Sequence, residues 1–304
     1  DTVTQEGSNL VVTYKDGSKD TIPVDKVAKL DKQPAIDAVT NKANEQIAAI
    51  NGNDNLTQAE KDKAIAKVNE GKQAALGKID EATNNDAVSA SKTEGTDAVA
   101  KVNPVAKEKA KQAITDELTA KNNELDARKD LSDAEKKAAK EEAKQLADAE
   151  LAKVNAQPDN KETAAEAAEA QKAVDAAKDK GVADVKTVNP IAKENALKAV
   201  ADELAKKEKQ IDDRTDLTKE EKDAAKEEAK GLAKKATDAI TAQPDKEASE
   251  AATTAQKAVN DAKDDGVEKV KAVNPPANKK TEANTAVADE AEAKKQALQN
   301  DNTL

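Results

Sequence analysis

The sequence predicts an all-α chain of tandem three-helix bundles drawn out into an elongated rod, with a short β-hairpin ahead of them. Three observations predict it. The string Val-Asn-Pro recurs at residues 102–104, 188–190 and 273–275, a period of 86 and then 85 residues, which marks a tandem repeat. The pattern Leu-Thr/Ser-x-x-Glu-Lys recurs at residues 56–61, 131–136 and 217–222 and has the form of a helix-opening capping box. Composition supplies the third: 37% of residues are hydrophobic but most of these are Ala, Tyr14 is the only aromatic, and Cys, His, Met, Trp and Phe are absent. Alanine buries little apolar area per residue, so such a chain builds thin, closely packed helical cores rather than one wide core.

The elements follow in order. In residues 1–33, Asn9-Leu10-Val11-Val12-Thr13-Tyr14 and Thr21-Ile22-Pro23-Val24 flank Lys15-Asp16-Gly17-Ser18. Asp-Gly between β-formers predicts a hairpin, and a lone hairpin in water is marginal unless it belongs to a neighbouring domain or leans on the first bundle. Residues 34–103 form a short first repeat, 104–189 a second, 190–274 a third, and 275–304 the first helix of a fourth that is cut where its capping box is due.

Within a repeat, punctuation separates three helices. The first opens on Asn-Pro, with Asn103, Asn189 and Asn274 read as N-caps and Pro104, Pro190 and Pro275 as first helical residues. In the second repeat that helix is expected from about Pro104 to Arg128. Ala106, Ala110, Ile114, Leu118 and Leu125 fall on one stripe, and Ala192, Ala196, Val200, Leu204 and Ile211 repeat it. The second helix starts at the capping boxes, Thr57 with Glu60, Ser132 with Glu135, and Thr218 with Glu221; Ile65, Val68, Ala75 and Ile79 line its apolar face in the first repeat. Gln-Pro-Asp at 157–159 and 243–245 breaks the chain before helix three. The first repeat lacks that break.

Helix three of the first repeat runs through Val88, Gly95, Val99 and Val102. Gly95, Gly181 and Gly266 each precede the proline of Val-Asn-Pro by nine residues. A glycine near a helix end is commonly a C-cap, but Val174, Val185 and Val188 continue the stripe on both sides of Gly181, so a glycine inside a helix contact is preferred. Helix three then ends at Val-Asn and the next helix begins on the adjacent Pro, which predicts almost no linker between bundles.

Charge excludes several functions. Acids number 61 and bases 50, a net charge of −11, with both signs interspersed at helical spacing, so no basic face for nucleic acid forms. No run is long and apolar enough to insert in a membrane. Without His or Cys the usual catalytic triads and structural zinc sites cannot be built, and paired acids such as Glu141-Glu142 and Glu227-Glu228 fall on solvated helix faces. The Asn51-Gly52-Asn53-Asp54-Asn55 loop lacks the closing glutamate of a calcium loop and reads as a turn. The expectation is therefore no enzyme, no cofactor and no metal, in a monomeric chain. Absence of an initiating Met, a signal peptide and a sorting signal reads as an excised segment, with any anchor outside it.

The strings Ala-Ile-Ala-Lys-Val-Asn, Gly-Lys-Ile-Asp-Glu-Ala-Thr, Glu-Gly-Thr-Asp-Ala-Val and Val-Asn-Pro between Gln58 and Pro104 resemble a known family. It is the alanine-rich, three-helix "domain of unknown function" repeat of giant cell-wall-anchored surface proteins of Gram-positive bacteria, of the extracellular matrix-binding homologue type. The similarity spans 34–304. Residues 11–24 are similar to the closing strands of Rib-like β repeats from such proteins. The resemblance implies a stalk that carries an adhesive tip away from the cell wall, on the extracellular surface. The longer repeats depart from the family's compact pattern around Gln-Pro-Asp. The alternative function is a helical module that binds a host extracellular-matrix or plasma protein. Recognition surfaces concentrate aromatic and arginine anchors, and the chain has one Tyr and only Arg128 and Arg214, which favours the spacer.

Overall fold

The strands at the N-terminus come from β-branched residues separated by glycines able to adopt positive φ. In the computed structural model, which describes residues 1–23, 30–277 and 279–300, β1 (Thr2–Glu6), β2 (Asn9–Thr13) and β3 (Lys19–Pro23) form one antiparallel sheet in that order. Glu6 pairs with Asn9 across the two-residue loop Gly7-Ser8. Gly7 has φ 61° while Ser8 stays negative, the pattern of a type II′ turn that matches strand twist. The second turn spans Tyr14–Ser18, closed by Tyr14 N–H donating to Ser18 O at 2.9 Å, with Gly17 at φ 85°. The expected hairpin is thus β2–β3, and the sheet is larger than predicted by β1; Val24, placed in the second strand, lies outside the described residues. Val11 on the middle strand is its one buried position.

Ten helices follow among the described residues. It separates into two compact units, one of residues 1–115 and 149–181, the other of 116–148 and 182–304.

In the first unit α1 (Gln33–Asn51), α2 (Gln58–Glu81) and α3 (Asn85–Ala100) pack pairwise into a three-helix bundle. Their stripes meet in two layers. Val39, Ala75, Ile79 and Val88 fill one, and Ala43, Ile50, Val68 and Val99 the other. Burying each Val or Ile contributes roughly 1.5–3 kcal/mol, and the intervening Ala lets the helices approach. The Thr57–Glu60 capping box opens α2, and Asn84 caps α3 by accepting from Ala87 N–H at 2.8 Å. Gly95 lies inside α3, where a Cβ would stand 2.3 Å from that of Ala75. This glycine permits the α2–α3 contact, because any side chain there collides with the facing helix.

Beyond α3 the chain does not restart a helix at once. Asn103–Pro104 is a short strand, β4, paired antiparallel with β5 (Asn160–Lys161), and α4 (Glu108–Ala127) begins only after residues 101–107. α5 (Asp133–Ala156) and α6 (Ala164–Lys186) complete the second repeat, and α4, α5 and α6 each contribute to both units. In the second unit α7 (Glu194–Asp212), α8 (Lys219–Thr241) and α9 (Ser249–Ala272) form another three-helix bundle around Val200, Ile211, Ala229, Ile240, Val259 and Val270. Gly266 lies within α9, and its Cβ would stand 2.3 Å from that of Ala236. α10 (Lys279–Asn300) is exposed over residues 283–299 and carries Val287 and Leu298 in the open.

The joint departs from the sequence expectation in two respects. Asn103, Asn189 and Asn274 are not N-caps and Pro104, Pro190 and Pro275 are not first helical residues; residues 275–277 lie outside any helix. α4 and α7 start at Glu108 and Glu194, with Lys193 at the cap position of α7 making no side-chain cap bond. Pairing of each Asn-Pro segment with the loop after the second helix of the repeat, Asn160–Lys161 beyond α5 and Lys246 beyond α8, holds it extended, as a proline and the residue before it prefer.

Candidate functional site

The repeat joint gathers most of the long-range polar contacts, and the same residue types build it twice. At the first joint Glu60 opens α2 in the ordinary way: its Oε2 accepts from Thr57 N–H at 2.7 Å and Thr57 Oγ at 2.8 Å, while Thr57 Oγ1 accepts from Glu60 N–H. Its other oxygen turns to the next repeat. Oε1 accepts from Lys107 N–H at 2.8 Å and Glu108 N–H at 3.1 Å, the first free donors of α4. One carboxylate therefore caps two helices in successive repeats, placing negative charge at both positive helix ends.

The second joint repeats this. Glu135 accepts from Ser132 N–H at 2.8 Å through Oε2 and from Lys193 and Glu194 N–H at 2.7 and 3.0 Å through Oε1, and Glu194 also accepts from Ser132 Oγ. Capping the following helix from the previous repeat explains why α7 needs no cap of its own.

Around this glutamate the loop after helix two closes on the segment after Asn-Pro. Val105 N–H donates to Asp159 O at 3.0 Å, and Ile191 N–H to Asp245 O at 2.9 Å. Lys107 Nζ donates to Gln157 O and pairs with Asp159 at 2.6 Å; Lys193 Nζ donates to Gln243 O and pairs with Asp245 at 2.5 Å. Both lysines are largely buried. Gln171 grips the backbone of Ala106 from both sides, accepting from its N–H at 2.8 Å and donating to its O at 3.1 Å, and Gln256 does the same to Ala192 at 2.7 and 3.1 Å. Asn160 Nδ2 donates to Lys101 O at 2.9 Å, and Lys63 pairs with Asp159 at 2.8 Å, so the loop of the second repeat also holds the first. Ala106 completes the contact from the apolar side, buried with Leu56 and Val102 in the core of the first bundle.

Electrostatics follow the geometry. Burial pushes the Glu60 carboxyl up, but the donors from Lys107, Thr57 and Glu108 outweigh it and hold it below the ordinary carboxylate range. Hydrogen bonds from Lys107 and then Lys63 bring Asp159 down to about 2. Arg128 holds Asp130 low by a two-pronged bond and reaches Pro190 O and Gln256 Oε1, bracing the second joint; Arg214 likewise grips Asp216, Asn274 Oδ1 and Pro275 O. At the third Val-Asn-Pro, Lys207 Nζ donates to Val273 O at 3.0 Å.

The predicted structural residues separate into two places. Glu60 and Glu135 come together with the chain after Asn103-Pro104 and Asn189-Pro190. Asn103 fastens the end of α3 by donating to Ala100, Lys161 and Glu162 carbonyls, whereas Asn189 donates to the nearby Lys186 and Thr187 carbonyls. Thr218 and Glu221 form the third capping box. Gly95, Gly181 and Gly266 lie in helix contacts inside the bundles instead. Sequence reasoning missed Lys107, Lys193, Gln171, Gln256, Asp159 and Asp245 as joint residues, although Ala-Lys follows Val-Asn-Pro-Val/Ile both times at the 86-residue period. It also missed a fourth capping box, Thr163 with Glu166, at the start of α6.

A sequence profile of the family described as Domain of Unknown Function (DUF1542) matches residues 31–107 and 192–278. These spans cover α1–α3 and α7–α9, each with the start of the joint that follows. Among curated proteins and solved structures there is no match.

Proposed function

The chain belongs to the DUF1542 family, and we propose that it is a spacer: a series of helical repeats whose joints hold each repeat in a fixed attitude to the next, projecting another part of a surface protein outward. The observation that carries this reading is the carboxylate shared by two repeats, Glu60 at the first joint and Glu135 at the second. A chain of independent domains needs no such residue. A spacer does, because a joint fixed by backbone and side-chain bonds across the repeats resists the swivelling that a Gly/Ser linker allows. Stability in such arrays is the sum of repeat terms and nearest-neighbour joint terms. The extracellular, cell-wall setting rests on the resemblance of these repeats to those of Gram-positive surface proteins.

The test is small-angle scattering of the 304-residue chain and of a variant with a Gly-Ser segment inserted between Asn189 and Pro190. Helices near 24 residues rise about 35 Å, so three repeats in line give a maximum dimension above ~100 Å. The insertion is expected to shorten the mean dimension while circular dichroism stays unchanged. A compact profile, identical for both proteins, sinks the spacer.

A further inference from the structure

The three glycine layers are not equivalent. In the first repeat Gly95 faces Ala75 and Val39, and in the third Gly266 faces Ala236 and Val200. In the second the same layer holds Gly181, Ile114 and Glu150, so a glutamate stands where the others have an alanine. Glu150 is 3% exposed, its Oε2 is buried with no hydrogen-bond partner, and its Oε1 meets Lys153 at 2.7 Å and Lys180 only at 4.0 Å. Both lysine side chains are more than half exposed, so their charge is shared with water. At this layer α5 and α6 also stand further apart than their counterparts. A Cβ at Gly181 would stand 3.1 Å from that of Glu150, against 2.3 Å from the Ala Cβ at the other two glycines. A buried carboxylate is tolerated when its lone pairs are satisfied and disfavoured when they are not, because desolvation then goes uncompensated.

We propose that the Glu150–Gly181 layer is a built-in release point, where the second repeat opens before its neighbours, so that tension lengthens the spacer there first. Opening hydrates Glu150 and relieves its desolvation, whereas opening the Ala75–Gly95 or Ala236–Gly266 layer only exposes apolar surface. Use of the release point under tension rests on the spacer reading. Opening itself does not, and is tested separately from molecular shape.

Amide hydrogen exchange on the full chain decides it. Segments 146–152 and 178–184 are expected to exchange at least tenfold faster than the corresponding 71–77 and 92–98, or 232–238 and 263–269. Glu150→Ala recreates the layer of the other repeats and is expected to remove that difference. Glu150→Gln keeps the volume but not the charge and is expected to slow exchange part of the way, which keeps the test decisive if Glu150→Ala leaves a void. Equal exchange in all three layers of the unmodified chain overturns the proposal, as does faster or unchanged exchange in both variants. A rod-like scattering profile with equal exchange would leave the spacer standing and remove the release point.

Discussion

Replacing Glu60 by Ala strips one carboxylate from two helix ends, and the structure sets the size of the loss. The half that serves α2 is an ordinary capping interaction, worth about 1 kcal/mol. Of the half that serves α4, the bond from Lys107 N–H is partly buried and charge-assisted, about 1.5 kcal/mol, whereas that from Glu108 is exposed and adds little. Loss of negative charge at two helix N-termini adds about 0.5 kcal/mol. The total is about 3 kcal/mol. With a urea dependence of about 1.5 kcal/mol per molar for a repeat of this size, the midpoint of the affected transition falls by roughly 2 M. Glu60→Gln keeps a single accepting oxygen, so it should lose about half as much. Glu70→Ala, on an exposed face of the same helix, is the control and should stay within about 0.5 kcal/mol. Urea titration by far-ultraviolet circular dichroism measures all three. If Glu60→Ala moved the midpoint no more than Glu70→Ala, the shared cap would contribute nothing and the joint argument would fail.

Gly95→Ala and Gly266→Ala should each destabilise by about 1–3 kcal/mol, because the new Cβ meets a facing Ala Cβ at 2.3 Å; melting temperatures check this. Gly77→Ala, on α2 with open space around it, should stabilise by about 0.5–1 kcal/mol in the same assay. Acid should loosen the first joint. Asp159 has a folded value of about 2 against 3.8 unfolded, so its contribution is present above pH 4 and disappears as pH falls toward 2. The shift sets a ceiling of about 2.4 kcal/mol, which screening at a half-exposed side chain reduces to about 1. Glu60, also held low, acts in the same direction. Urea midpoints from pH 7 to 2 should fall less steeply in Asp159→Asn than in the parent chain. Arg128→Lys should lower the melting temperature of the second joint by an amount equivalent to about 1 kcal/mol, since Lys cannot grip Asp130 with two prongs and still reach Pro190 O.

The sequence by itself determined what is local. Thr57 and Glu60 are three residues apart, so their capping box needs only the start of a helix, and the stripes of Val39, Val68 and Val200 need only a 3.6-residue turn. Gly181 could be placed inside α6 because apolar residues continue on the same face beyond it. What lies across a fold could not be read this way. Asn-Pro looks like the opening of a helix to any local rule, yet pairing with residues 159–161, more than fifty positions away, keeps it extended and delays α4 to Glu108. The free oxygen of Glu60 became a cap for α4 only when packing of Ala106 into the first bundle brought that helix end within reach. Gln171 and Gln256 were ordinary polar helix residues until the tertiary structure set each against a bare backbone amide. Likewise Glu150 was one acid among 61 until the glycine opposite it left its carboxylate inside the contact. Local grammar is written in spacings of two to four residues, whereas the joint is a meeting of segments decided by which surfaces the packed helices bring together.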